Sequence, residues 1–320
     1  MNWQGAKVLI AGGAGFFGTN FMLELVRRGA DVRATWHERE PQIRLPGVEF
    51  VQADLIRAED CRRVVAGRDY VLICAANTSG AAVIVKTPLA LVTPNVLINM
   101  LLLEAAYEAG VKKTLFISSG AAYPDLGDKD LVEDDMFLGD PPKVYFPVGW
   151  MKRYSEILCR TYAQEISPDM PCVVIRPSNV FGPYDKYDPK RSHVTAALIR
   201  KVAEGMNPLE VWGTGLDTRD LLYVEDCVAA ALTVFEKVES FDIVNIASGN
   251  QIAVRELLQL LLTLEGRPDH PIRFDASKPS TIRARRLSNQ RLREVYGVTP
   301  PVSIEEGLRK TLAWFKNAEF

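Results

Sequence analysis

The most constraining stretch of this chain is its first thirty residues. An apolar run at 7–11 leads into Gly12-Gly13-Ala14-Gly15-Phe16-Phe17-Gly18, and helical spacing follows over 16–28. Gly12, Gly15 and Gly18 have the G-x-x-G-x-x-G spacing. Each glycine has a physical reason. A tight turn out of a strand wants φ above zero, and a Cβ would keep a pyrophosphate from the backbone. The helix that follows presents unpaired N–H groups to an anion. A glycine turn alone also serves to join a strand to a helix. Placed directly after a strand this near the start, it reads as a dinucleotide cradle on Gly12, Gly15, Phe16, Phe17 and Gly18.

The next segments repeat the alternation. Strands are expected at 31–35, 48–52, 70–75, 113–118 and 172–176, and helices at 59–65, 95–109 and 149–164. Such βαβ alternation predicts an α/β Rossmann-type, doubly wound parallel sheet. After Ser119 the rhythm breaks, with a long polar loop expected over 121–144. Further helices are expected at 194–204, 226–237, 255–266 and 303–317. The reading is a dinucleotide-binding part over 1–176 and a smaller, interleaved α/β substrate part over 177–320, with returns to the first.

Composition narrows the function classes. The 320 residues are 48% hydrophobic, ample for a large core, and Lys+Arg 38 against Asp+Glu 40 leaves a net charge of -2. Bulk charge therefore points to no nucleic-acid or membrane partner. No run is read as reaching the roughly 18 apolar residues of a bilayer span, and the first residues lack the pattern of a signal peptide. Five cysteines without a C-x-x-C, and three histidines without H-E-x-x-H, argue against a disulfide framework or a metal catalyst. A reducing cytoplasm is expected.

The second strand should end near Thr35-Trp36-His37, where an NAD site carries an acid for the ribose hydroxyls. Trp36 and His37 stand there, followed by Glu38, Arg39 and Glu40. A missing acid beside His37 and Arg39 favours NADP(H) over NAD(H). The alternative, with Glu38 serving NAD, stays open.

Several segments together resemble one family, the extended short-chain dehydrogenase/reductases that act on nucleotide sugars. They are Asp54-Leu55, Ala75-Ala76-Asn77, Pro94-Asn95-Val96, Ser118-Ser119-Gly120 through Tyr123-Pro124, Arg176-Pro177-Ser178-Asn179 through Gly182-Pro183, Trp212-Gly213-Thr214-Gly215, and Thr218-Arg219-Asp220 through Val224-Glu225-Asp226. Within the family the pattern is most similar to the GDP-fucose synthase branch, although Ala121 stands where that branch has a cysteine. The resemblance implies that Asp54 and Leu55 meet the adenine, and that Ala75, Ala76, Pro177 and Asn179 line the dinucleotide. It implies that Ser119 orients the reacting oxygen and Lys152 holds the nicotinamide ribose. Asn179, Asp188, Arg219 and one of Arg283, Arg285 or Arg286 would meet a nucleotide-diphosphate sugar, because a guanidinium matches phosphate geometry.

The family's proton carrier is a tyrosine four residues before the lysine, one helical turn away. Here that position is Val148, which cannot carry a proton. Tyr145, Asp188 or water would have to replace it, and the alternative is a protein that binds both nucleotides without turnover. Finally, the helices at 95–109 and 149–164 are apolar on more than one face, which predicts a homodimer.

Overall fold

The computed structural model describes residues 1–78, 87–189, 192–277 and 284–318. Its elements follow in chain order. The first half contains β1 (Lys7–Ala11), α1 (Phe16–Arg27), β2 (Asp31–Trp36), β3 (Glu49–Gln52), α2 (Ala58–Val65), β4 (Tyr70–Ile73), α3 (Thr93–Glu108), β5 (Lys113–Ile117), β6 (Asp130–Leu131) and α4 (Phe146–Gln164). The second half contains β7 (Cys172–Pro177), β8 (Asn179–Phe181), α5 (Val194–Ala203), β9 (Leu209–Trp212), β10 (Thr218–Tyr223), α6 (Val224–Lys237), β11 (Phe241–Ile246), β12 (Gln251–Ala253), α7 (Val254–Leu264), β13 (Ile272–Asp275), β14 (Arg286–Leu287), α8 (Gln290–Glu294) and α9 (Ile304–Asn317).

Seven strands form one sheet in the order β11-β7-β5-β4-β1-β2-β3, and every neighbouring pair is parallel. Parallel strands buried on both faces read as continuous apolar runs, and Val8 to Ala11 and Cys172 to Ile175 are fully buried. One face packs on α1 and α6 through Phe21, Met22, Leu25 and Phe235. The other packs on α2, α3 and α4 through Val64, Leu102, Leu103 and Cys159. The order reverses between β1 and β4, and ligands of open parallel sheets sit in the crevice beyond the strand ends at such a point. A separate core joins β9, β10, α5, α7 and α9 through Leu198, Leu209, Leu221, Leu258 and Leu308.

Three sequence readings are corrected. The helix expected from 149 begins at Phe146 and places Pro147 in its first turn, where the missing N–H is harmless and the fixed φ suits the helix. The segment 121–144 is not one loop: it contains short 3₁₀ turns and β6, which pairs with β14. The stretch Leu89–Glu108 does have the length and composition of a membrane span. Its helix instead buries Asn95, Asn99, Leu102, Leu103, Ala105 and Ala106 within this molecule.

Candidate functional site

The site begins where β1 ends. Gly12 has φ +88°, and a Cβ there would fall 2.6 Å from Ala75 Cα, so the turn passes too close to the end of β4 for any side chain. Gly18 is needed for a different contact. Its Cβ would lie 2.1 Å from the Gly12 carbonyl oxygen, so α1 rests directly on the turn. Gly15 caps α1 at φ −89° with no side chain bonding the helix end, and its Cβ would meet only the Gly12 oxygen, at 3.3 Å. That space lies outside the turn, against the first turn of α1, which holds Phe16 and Phe17 and no acidic residue. Open space beside helix amides suits a diphosphate, so the residues present fit a bound dinucleotide.

The neighbouring strand ends complete this side. Gly12 N–H donates to Thr35 Oγ1 at 2.8 Å, so the residue of β2 that faces the glycine turn is a neutral threonine. His37 is exposed, with Nε2 3.9 Å from the Asp54 carboxylate, which Arg57 also approaches at 3.4 Å. Leu55 is buried beside them. Arg39 is exposed. The Arg44 guanidinium lies 5.9 Å from the Trp36 ring and 5.2 Å from the Phe50 ring. Ala75 and Ala76 follow β4, and Asn95 of α3 fastens this turn: its side chain accepts from Asn77 N–H at 2.7 Å and donates to Asn77 O at 2.9 Å.

Ser119 follows β5, and its Oγ accepts a hydrogen bond from Ala121 N–H at 3.0 Å. Lys152, in the second turn of α4, donates from Nζ to Ile117 O at 2.8 Å and sits 4.7 Å from the Phe116 ring. Burial pushes its ammonium down to about 8, against the pull of Glu156. The structure thus brings the lysine to the strand end two residues before Ser119.

Val148 lies one turn before Lys152, and Tyr145 is the N-cap residue of the same helix. Residues 145, 148 and 152 have the spacing of a single helical stripe, with Tyr145 farthest from the lysine. Its ring is 6.0 Å from the Arg285 guanidinium. Tyr145 acts electrostatically on both Arg219 and Arg285, and burial pushes Arg285 down to about 10. Tyr123 is committed elsewhere. Its hydroxyl donates to Asn245 Oδ1 and accepts from Arg176 Nη1, both at 2.8 Å. Tyr184 has φ +67° and packs its ring 5.0 Å from that of Trp314.

On the other side of the cleft, Pro177 ends β7, and Asn179 of β8 donates to Asp220 O at 3.2 Å. Arg219 of β10 donates to Thr218 O at 2.7 Å and lies 3.8 Å from Asp217. Asp188 is exposed, and its carbonyl accepts from Ser192 N–H at 3.0 Å. Of the three later arginines, Arg286 pairs with Asp130 at 2.8 Å, Arg283 lies outside the described residues, and Arg285 is the one beside Tyr145. Among the described residues no group of His, Cys, Asp and Glu could hold a metal ion. Sequence reasoning missed Thr35, because the direction of a strand-end side chain depends on register. It also missed Glu156, although its spacing four residues after Lys152 was visible.

The comparisons agree with this geometry. Residues 8–247 match the model of the NAD dependent epimerase/dehydratase family. The chain is 30% identical to a dTDP-4-dehydro-6-deoxy-D-allose reductase of Streptomyces bikiniensis, covering 98% of both proteins. It is 27% identical to a GDP-L-fucose synthase of Sinorhizobium fredii, over 98% of this chain and 96% of that one. Among solved structures, a UDP-glucose 4-epimerase of Thermotoga maritima with UDP-glucose superposes with a TM-score of 0.86 at 27% identity, over 97% of this chain and 98% of that one. The UDP-glucose 4-epimerase of Thermus thermophilus in complex with NAD gives 0.83 at 27% identity, over 98% and 99%.

Proposed function

Because the chain belongs to the NAD-dependent epimerase/dehydratase family, we propose that it is an NAD(P)-dependent epimerase or reductase of a nucleotide-diphosphate sugar, acting at sugar C4. The observation that carries this reading is the lysine contact. Lys152 Nζ lies on the Ile117 carbonyl, two residues before Ser119, at the same edge of the sheet as the glycine turn. A bound nicotinamide supplies the hydride acceptor or donor. Lys152 holds its ribose, and Ser119 hydrogen-bonds the reacting oxygen. Arg219, Arg285 and Asn179 grip the nucleotide diphosphate, with Asp188 at the rim. Tyr145 carries the proton that Val148 cannot. Its ring lies 6.0 Å from the Arg285 guanidinium, at the cap of the helix that carries Lys152.

The dinucleotide is NADP(H) in preference to NAD(H), since Thr35 gives the ribose no carboxylate while the His37 imidazole and the Arg39 and Arg44 guanidiniums stand near the end of β2. Residues 1–176 serve the dinucleotide and 177–320 mainly the substrate, with α6 and β11 returning to the dinucleotide sheet. The protein works as a cytoplasmic homodimer through α3 and α4, where Leu97, Met100, Trp150, Tyr154 and Ile157 are exposed. Val148 supports a second reading, a binding protein without turnover.

One experiment separates the two. The protein is mixed with reduced dinucleotide and a 4-keto nucleotide sugar, and the nicotinamide absorbance is followed. Decay that Tyr145→Phe abolishes supports the enzyme and its proton route. An inert protein that Val148→Tyr activates establishes the binding reading. Decay untouched by Tyr145→Phe removes Tyr145 and leaves Asp188 or water.

A further inference from the structure

Glu156 stands one turn beyond Lys152 on α4, and its side chain and that of Arg176 are each 1% exposed. Both carboxylate oxygens are engaged. Oε2 accepts from Arg176 Nη2 at 2.6 Å, while Oε1 accepts from Arg176 Nε at 3.0 Å and from the Ser118 hydroxyl. Arg176 Nη1 continues the chain to Tyr123 Oη at 2.8 Å and to Glu133 O at 2.7 Å. One buried carboxylate therefore joins α4 to the ends of β5 and β7, beside both Lys152 and Ser119.

A buried ion pair is weak evidence of stabilisation, because desolvation offsets most of its attraction. An apolar pair of similar volume would serve the core as well, so the arrangement calls for another reason. We propose that Glu156 is a positioning residue: through Ser118 it fixes the strand end that carries Ser119, and through space it holds the Lys152 ammonium on the Ile117 carbonyl. The role assigned to Lys152 rests on the function proposed above. The groups around Lys152 support the electrostatic half. The ammonium meets the Phe116 ring and the Ile117 carbonyl, and Cys159 and Glu156 are the titrating neighbours acting on it. Burial drives the ammonium toward its neutral form and Glu156 opposes this. The Ser118 hydroxyl and Arg176 deliver no negative charge to it, so removing Glu156 leaves burial almost unopposed.

The test reads Lys152 directly. Lysines of the intact protein are reductively methylated with carbon-13 label, and the Lys152 resonance is assigned with Lys152→Arg and titrated. In Glu156→Gln the midpoint should move to lower pH by about one unit, roughly tenfold in the protonation constant. In Ser118→Ala it should stay in place while turnover falls. If Glu156→Gln leaves Arg176 uncompensated and does not fold, the double variant Glu156→Gln/Arg176→Met removes the charge pair together and should show a smaller shift in the same direction. An unmoved midpoint in a folded Glu156 variant overturns the proposal, as does unchanged turnover in Ser118→Ala of an active protein. Failure of the functional reading looks different: Lys152→Met would leave dinucleotide affinity unaltered, whichever way the titration goes.

Discussion

Gly15 and Gly18 lie three residues apart in one motif, and the structure predicts opposite consequences of filling them. At Gly15 the backbone has φ −89°, ordinary for any residue, and a new Cβ meets only the Gly12 oxygen at 3.3 Å. The Gly12 oxygen must give by a few tenths of an ångström, so Gly15→Val should cost about 1 kcal/mol of folding stability, less than a side chain at Gly18. Its side chain would occupy the space beside the helix amides where the phosphates belong. Hydrogen bonds to charged groups are each worth about 1.5–3 kcal/mol. Losing one or two should weaken dinucleotide binding by about tenfold to ten-thousandfold, at about 1.4 kcal/mol per tenfold. At Gly18 the new Cβ would stand 2.1 Å from the Gly12 oxygen and 2.8 Å from Gly13 Cα, both backbone atoms. Gly18→Ala must push α1 off the turn, at about 1–3 kcal/mol or more for forced overpacking. Calorimetric titration with dinucleotide and urea unfolding separate the effects. Gly15→Val should lose affinity with only a small drop in its unfolding midpoint, whereas Gly18→Ala should lose more stability. Native affinity in Gly15→Val would refute the placement of the pyrophosphate.

Calorimetry should find NADP bound more tightly than NAD. Thr35→Asp, which sets a carboxylate beside the Gly12 amide, should reverse that order, and a tenfold preference of the native protein for NAD would contradict the assignment. Light scattering at micromolar concentration should report a homodimer, and Ile157→Glu on the exposed face of α4 should yield monomers; a native monomer would remove the interface. Asp185 carries a pH test. Burial lifts its carboxyl from the ordinary 3.8 to about 7, so folding gains from its retained proton at low pH and loses that gain as pH rises through about 7. Asp185→Asn should leave stability unchanged near pH 4 and raise it by up to about 4 kcal/mol at pH 8, read by urea unfolding. A constant difference across that range would show that the carboxyl is not buried as described.

The parallel sheet was legible because its strands are buried on both faces. Val8 to Ala11, Tyr70 to Ile73 and Cys172 to Ile175 stand out as apolar runs between helical patterns. The strands after residue 177 were not, since their burial is mixed. Asn179 is exposed and Val180 half-buried in β8, while β9 alternates buried and exposed. Such short strands are set by the core they close over, among Leu209, Leu221 and Leu258, and three or four residues are too few for a period to stand out in the sequence. Pro147 misled the reading of α4 for a related reason: proline breaks a helix interior but opens a first turn, and only the fold says which applies.

The site divides in the same way. Its glycine turn could be read because each glycine answers to backbone geometry within a few residues. The arginine proposed to grip the diphosphate could not be chosen among Arg283, Arg285 and Arg286 from sequence, because a basic run carries no mark of direction. Pairing of β14 with β6 sends Arg286 outward to Asp130, and the neighbouring position turns the opposite way along a strand. Arg285 is thereby set against Tyr145. The same dependence governs the missing tyrosine. A helix that begins at Phe146 puts Tyr145 at its cap, three residues before Val148 and beside Arg285. The proton-carrying role proposed for Tyr145 therefore requires the reacting oxygen held by Ser119 to come also within hydrogen-bond reach of a phenol that stands beside Arg285.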